Sequence, residues 1–313
     1  MKELCRTESA NLDNLNLTYD EFGSQHHTPI ILIHGLGTQR IGWPDDFCIL
    51  LADKGFRVIR FDNRDIGQSS RLDKLGKPNI LWLMLKDKLN LSVNSPYTLQ
   101  DMAKDTIALL DHLEIEKAHI VGASMGGMIA QRIAAHYPQR TLTLVSVMSS
   151  SGKRDLPGPA KEVQAHLMSS PQGQTAQDFV QHELKFWKLI SSKRYPPNSE
   201  TLGTFIQASV DRGRPYKGGP DRQLAAIIAD GSREELLRTI IVPTLVIHGD
   251  EDPLLPVECG LDTAVQIPDC EFELVKGMAH DLPVPLYDYL TDRITKHGLN
   301  HMRKNLTSIE EAK

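Results

Sequence analysis

The stretch Ile120-Val121-Gly122-Ala123-Ser124-Met125-Gly126-Gly127 constrains the fold more than any other part of this chain. β-Branched residues run into it, and a helical pattern, Met128-Ile129-Ala130 followed by Ile133-Ala134, runs out of it. A strand that turns abruptly into a helix brings two backbones almost into contact. The positions two before and two after the apex must therefore be small. Gly122 and Gly126 hold those positions. The apex residue, Ser124, is forced into a strained backbone conformation, with its hydroxyl held clear of the chain and a helix N-terminus behind it. The Met125 amide then points to where negative charge would collect on a substrate oxygen. A chemically idle turn rich in glycine and serine carries the same five-residue pattern, so the rest of the chain decides between the two.

On either side of this turn the sequence alternates. Pro29-Ile30-Ile31-Leu32-Ile33 is a continuous apolar run ending in His34-Gly35-Leu36-Gly37, and Phe56 to Phe61 is a second strand ending in Asp62-Asn63-Arg64-Asp65. Phe47, Leu50 and Leu51 lie between them at helical spacing. Thr98 to Leu113 reads as an amphipathic helix, followed by strands at Ala118–Val121 and Leu142–Val147. Such alternation predicts a mostly parallel central sheet with helices on both faces, an α/β fold. It breaks near Met148 and resumes with strands at Pro243–Ile247 and Glu271–Val275 and a helix through Leu286, Tyr287, Leu290 and Ile294. Residues 148–230 are expected to form a helical cap inserted in a core made of residues 1–147 and 231–313. Such a cap lies over the strand ends where open α/β sheets bind ligands. Ser232-x-x-Glu235 reads as a capping box. The tail from His297 to Lys313 has weak helical support.

Bulk properties exclude several classes. A net charge of −5 gives no reason to expect binding to nucleic acid or to an anionic membrane. Met1 to Arg6 lacks the apolar core of a leader, and the run Ile80–Leu85 is far too short to span a bilayer. Four cysteines are scattered without paired spacing, and His26-His27 has no further ligands nearby, so neither a metal nor a disulfide framework is indicated. A cytoplasmic globular protein is expected. Its oligomeric state is not encoded in these patterns.

If Ser124 is a nucleophile, it needs a base, and the base needs a group to orient it. Both are available beyond later strands. His280 follows the strand Glu271–Val275, and among the histidines after position 252 it alone follows a strand. Three acids, Asp250, Glu251 and Asp252, follow the strand before it. The strand after Ser124 ends in Met148-Ser149-Ser150-Ser151-Gly152, which has no carboxylate. A second oxyanion donor is expected from the loop His34-Gly35-Leu36-Gly37, with the Leu36 amide as donor, Gly35 admitting substrate and His34 bracing the loop. A dinucleotide-binding reading of that loop fails, because its third glycine would fall at Arg40. No cofactor is expected.

Two features carry less. Asp62, Arg64 and Asp65 read as a charged turn that pairs with itself, in preference to a clamp for phosphate or carboxylate. The apolar cluster Ile80–Leu85 and the pair Phe186-Trp187 could either line an acyl pocket or pack the cap onto the sheet.

Taken together, these segments resemble the α/β-hydrolase superfamily from about Pro29 to Ile294. The likeness rests on the His-Gly-x-Gly loop, the Gly-x-Ser-x-Gly elbow, the Gly-x-x-Asp turn and the Gly-x-x-His turn, in that order. The segments Gly42–Phe47, Arg57–Ser69 and Gly277–Pro283 are similar to the aclacinomycin methylesterase-like group. The resemblance selects Asp252 as the acid. It implies a carboxylesterase that cleaves a small or medium ester, methyl esters included, through an acyl-enzyme. The same machinery on lactones, amides, peracids or carbon–carbon bonds, and a non-catalytic ligand receptor of this fold, are the alternatives.

Overall fold

The computed structural model describes residues 5–12, 15–173, 175–213 and 218–311, with side chains to residue 300. The elements in chain order begin with β1 (Arg6–Leu12), β2 (Leu15–Phe22), β3 (Thr28–Ile33), α1 (Asp45–Asp53) and β4 (Phe56–Phe61). Next are α2 (Ile80–Lys88), α3 (Leu99–His112), β5 (Ala118–Ala123), α4 (Met125–His136) and β6 (Thr141–Val147). After β6 come α5 (Lys161–Leu167), α6 (Ala176–Ile190), α7 (Ser199–Asp211) and α8 (Gly218–Asp230). The chain ends with α9 (Glu234–Leu237), β7 (Thr244–Gly249), α10 (Val257–Gln266), β8 (Glu271–Val275) and α11 (Tyr287–Glu311).

The strands form one eight-stranded sheet in the order β1-β2-β4-β3-β5-β6-β7-β8. From β4 to β8 every pairing is parallel, whereas β1 and β2 run antiparallel. Strand periodicity splits the core in two. Ile31, Ile33 and Ile120 face a layer built from α3 and α4, against Leu99, Met102, Leu110 and Ile129. Ile30, Leu32 and Val121 face the opposite layer, against Trp43, Phe47, Leu51 and Leu290. Each such side chain, fully buried, contributes about 1.5–3 kcal/mol, so both layers hold the sheet between them.

Two expectations change, and one element goes beyond them. The β1–β2 hairpin carries no strand signal, because Asp20 and Glu21 are buried on β2 as ion-pair partners of Arg60 and Arg57. Ser232 does not cap over three residues. Arg233 is the N-cap of α9, and the Ser232 hydroxyl bonds Glu234 instead. The working capping boxes are Thr98 with Asp101 and Thr175 with Asp178, which use the shorter acid. Finally, α11 continues to Glu311, well into the tail that the pattern left undecided. The reading of Met1 to Leu4 lies outside the described residues. No helix among the described residues is long and apolar enough to cross a membrane.

Candidate active site

All six parallel strands, β3 to β8, point the same way, so the loops leaving β3, β5, β7 and β8 gather at one edge of the sheet. Register makes this concrete: Ile33 pairs with Gly122, and Gly249 with Val275. His34–Gly37, Ser124, Asp252 and His280 each begin within a few residues of those ends.

The turn at Ser124 has the strain expected of it. Its φ of 56° and ψ of −122° place a non-glycine residue in a sparsely populated region. A side chain at Gly122 would sit 2.1 Å from the Gly126 carbonyl oxygen, and one at Gly126 would sit 2.1 Å from that of Ile33. Neither position admits a Cβ. The conformation is pinned from β6: the Ser124 N–H donates to the Val147 carbonyl at 2.9 Å, and the Ser149 hydroxyl donates to the Ser124 carbonyl at 2.8 Å. Ser124 is the N-cap of α4, a place where serine ordinarily accepts from the first turn, yet its side chain makes no capping bond. The positive φ turns the hydroxyl away from the helix it precedes. Met125, the first helical residue, has an amide that the helix cannot satisfy.

The structure brings Asp252 to His280, and neither Asp250 nor Glu251. Asp252 Oδ2 lies 2.7 Å from His280 Nδ1. Its other oxygen accepts the amides of Leu254 and Leu255 at 2.9 and 2.8 Å, which fixes the carboxylate plane. Asp250 accepts the Gly277 amide at 2.6 Å and so ties the two loops together. Glu251 is exposed. Beneath Asp252 lies His248, fully buried, with Nε2 2.8 Å from the Leu255 carbonyl oxygen. Burial lowers its pKa and keeps it neutral. The His280 ring bonds Asp252 and no other side chain among the described residues.

The His34–Gly37 loop lies directly across. A Cβ at Gly35 would stand 2.9 Å from that of Ser124. His34 Nδ1 accepts the Gly35 amide at 2.7 Å, and the ring also makes a backbone hydrogen bond with Gly42. Burial takes its pKa down to about 4, so it is a neutral brace. Asn63 donates to the His34 carbonyl at 3.1 Å. Gln223, from α8, accepts the Gly37 amide at 2.9 Å and donates to the Arg64 carbonyl at 3.0 Å. The amides of Gly35 and Gly37 are thus occupied. That of Leu36, between them, has no partner among the described residues.

The charged turn after β4 does not pair with itself. Each residue reaches outward: Asp62 to the Arg40 amide and guanidinium, both at 2.6 Å, Arg64 to Asp105 on α3, and Asp65 to Arg222 on α8. Buried charges need partners held in fixed geometry, and these come from three different elements. The apolar cluster is also resolved differently. Leu83 packs inward from α2, while its neighbours face solvent. Phe186 stacks on His166, and Trp187 meets Phe205 edge-on, so this pair packs the inserted helices on one another.

Those helices connect to the candidate base. The His280 amide donates to the Ile190 carbonyl at 2.9 Å, and the Ser192 amide donates to Asp281 Oδ1 at 3.1 Å. Burial raises the pKa of Asp281 to about 6. Sequence spacing carries no trace of Gln223, Ser149 or Ser192, which act across 25 to 186 residues. No group of three or more histidine, cysteine or acidic residues among the described residues could hold a metal ion.

This arrangement of loops has known counterparts. A profile of the α/β-hydrolase fold matches residues 28–283. The chain belongs to that family. Similar α/β hydrolases include the rhodomycin D methylesterase DauP of Streptomyces sp. (strain C5), 26% identical over 93% of this chain and 97% of the relative. The rhodomycin D methylesterase DnrP of Streptomyces peucetius is 25% identical over 91% and 95%. Among solved structures, the enol-lactonase from Burkholderia xenovorans LB400 superposes with a TM-score of 0.68, at 20% identity, over 93% of this chain and 99% of that one. The protein is therefore an α/β-hydrolase enzyme with esterase relatives.

Proposed function

We propose that this hydrolase cleaves a carboxylic ester through an acyl-enzyme formed on Ser124. The observation that carries the reading is the buried Asp252–His280 pair at the same sheet edge as a serine in a strained turn. His280 Nε2 takes the Ser124 proton as Oγ attacks the carbonyl carbon. Asp252 holds the imidazole by Nδ1 and stabilises its cationic form. The tetrahedral oxyanion is held by the amides of Leu36 and Met125, each worth about 3 kcal/mol in comparable chemistry. His280 then protonates the departing alcohol, and water repeats the sequence to release the acid. The helices within residues 148–230 act as the cap that shapes the pocket. The methylesterase relatives favour a methyl ester as substrate.

The test is hydrolysis of p-nitrophenyl esters, acetate through decanoate, and of aromatic methyl esters, by wild type and Ser124→Ala. Turnover lost in the variant, with its circular dichroism unchanged, supports the mechanism. Equal turnover by the two would overturn it. Turnover of lactones or amides, with no ester accepted, would keep the nucleophile and change the substrate.

A further inference from the structure

The helix α2 is apolar almost all the way round, a composition that normally signals a covered helix. It is not covered. Leu81 is 65% exposed, Trp82 51%, Leu85 45%, Leu89 58% and Leu91 52%, while Leu83 alone on this helix is buried. Leu81, Leu85 and Leu89 repeat every fourth residue and so form one stripe, with Trp82 beside it. Asn79 caps the helix by accepting the Trp82 amide, so the helix is held in this position. An exposed apolar face of this kind marks a surface that meets something.

Charge indicates what it meets. Between Arg71 and Leu91 there are five basic residues and two acidic ones, in a chain whose net charge is −5. Asp87 is already paired with Arg154 at 2.8 Å, and Lys86 sits over the Trp82 ring at 5.8 Å. Lys74 and Lys88 are exposed around the stripe, and Lys77, also exposed, pairs with Asp221 at 3.1 Å. The bulk charge conceals this local excess. In a two-fold contact with a second copy, each lysine would face the same basic patch, which repels. A sheet of anionic headgroups over hydrocarbon satisfies both halves at once: leucine and tryptophan enter the acyl boundary, and lysines meet phosphate.

We propose that α2 is the surface by which this protein docks on an anionic lipid bilayer. It would lie in the plane of the interface without crossing it. The docked face is one helix away from the oxyanion loop, since α2 packs on α8 and α8 carries Gln223. Docking would thus set the candidate site beside a phase in which apolar esters dissolve. The binding claim stands independently of the ester chemistry, because it is read without turnover.

The experiment is co-sedimentation of the full chain with vesicles of phosphatidylcholine, alone or mixed with phosphatidylglycerol, using wild type, Leu81→Glu/Leu85→Glu and Lys86→Gln/Lys88→Gln. Wild type should pellet with the anionic vesicles, less so with added salt, and Trp82 emission should shift to the blue. The leucine variant should lose that binding. Each lysine removed should weaken it about fivefold. All three proteins should give the same circular dichroism spectrum and a cooperative thermal transition, which reports an intact fold. No pelleting of wild type, or pelleting undiminished in the leucine variant, overturns the proposal. So does a wild-type dimer in sedimentation velocity that the leucine variant dissociates, which would assign the face to a second copy.

Discussion

Gln223 accepts the Gly37 amide at 2.9 Å from a position 186 residues further along the chain. The contact occupies the donor next to Leu36 and holds the loop from the side of the inserted helices. For the oxyanion role proposed for Leu36 the flanking amides must be tied down, and Gln223 supplies the tie at Gly37.

Replacing Gln223 by Met keeps the bulk and removes the acceptor. With the Gly37 amide unpaired, the loop can rotate and the Leu36 donor drifts. A misplacement of about 1 Å costs on the order of a hundredfold in rate. We expect kcat to fall by up to that factor, with KM changed far less, in steady-state assays on p-nitrophenyl esters. An unchanged kcat would separate Gln223 from the site.

Asp252 and Asp250 stand two residues apart and should behave differently. Asp252→Asn leaves the geometry but spoils the hydrogen bond to His280 Nδ1, and kcat should fall about 10⁴-fold. Asp250→Ala removes the acceptor for the Gly277 amide, an interaction of about 1.5–3 kcal/mol. Its effect should appear in the urea midpoint more than in kcat. Equal rate losses in the two variants would undo the assignment of the acid.

Asp281 makes stability depend on pH in an unusual direction. Its carboxyl titrates near 3.8 in the unfolded chain and at about 6 when folded, because burial disfavours the charge. Between those values the folded state holds a proton that the unfolded state has released, so this group's contribution to stability falls as pH rises. Asp281→Asn can still accept the Ser192 amide and carries no charge. The variant should match wild type near pH 3.5 and gain on it steadily up to about pH 6.5, read as the difference in Tm. A constant difference across that window would mean that Asp281 does not titrate there.

Arg222 and Asp65 form a bidentate pair, both contacts at 2.8 Å, with neither side chain more than 1% exposed. Arg222→Met takes the guanidinium away from a buried carboxylate, at a cost of about 3–5 kcal/mol. Adding Asp65→Asn should recover part of the loss. Chemical denaturation of the single and double variants measures both, and a double variant no better than the single would show that the charge of Asp65 is not what the loss reflects.

Much of this architecture was legible because its determinants are local. The continuous apolar run of β3, the mostly apolar β4, the alternating β8 and the amphipathic α3 follow from side-chain pattern alone, and the glycines around Ser124 follow from backbone crowding. What escaped depends on partners distant in sequence. Asp20 sits on a buried strand because Arg40 and Arg60 reach it, so β2 looks polar. Asp62, Arg64 and Asp65 look self-sufficient until Arg40, Asp105 and Arg222 arrive from elsewhere. The acid was a choice among three carboxylates in sequence, and only the 2.7 Å contact with His280 separates them by geometry. The exposure of α2 was equally hidden, since an apolar run reads the same whether it faces a core or the outside.

The amide of His280 hangs from the last carbonyl of α6, and the next two residues of that segment grip the same loop through Ser192. This junction restricts how the molecule can diversify. Lengthening or shortening the chain between Ile190 and Tyr195 would drag the imidazole with it, whereas the far ends of α6 and α7 can be recast without disturbing it. New specificities in descendants of this chain should therefore arise by remodelling distal to that seam, with the six residues at the seam inherited nearly unaltered.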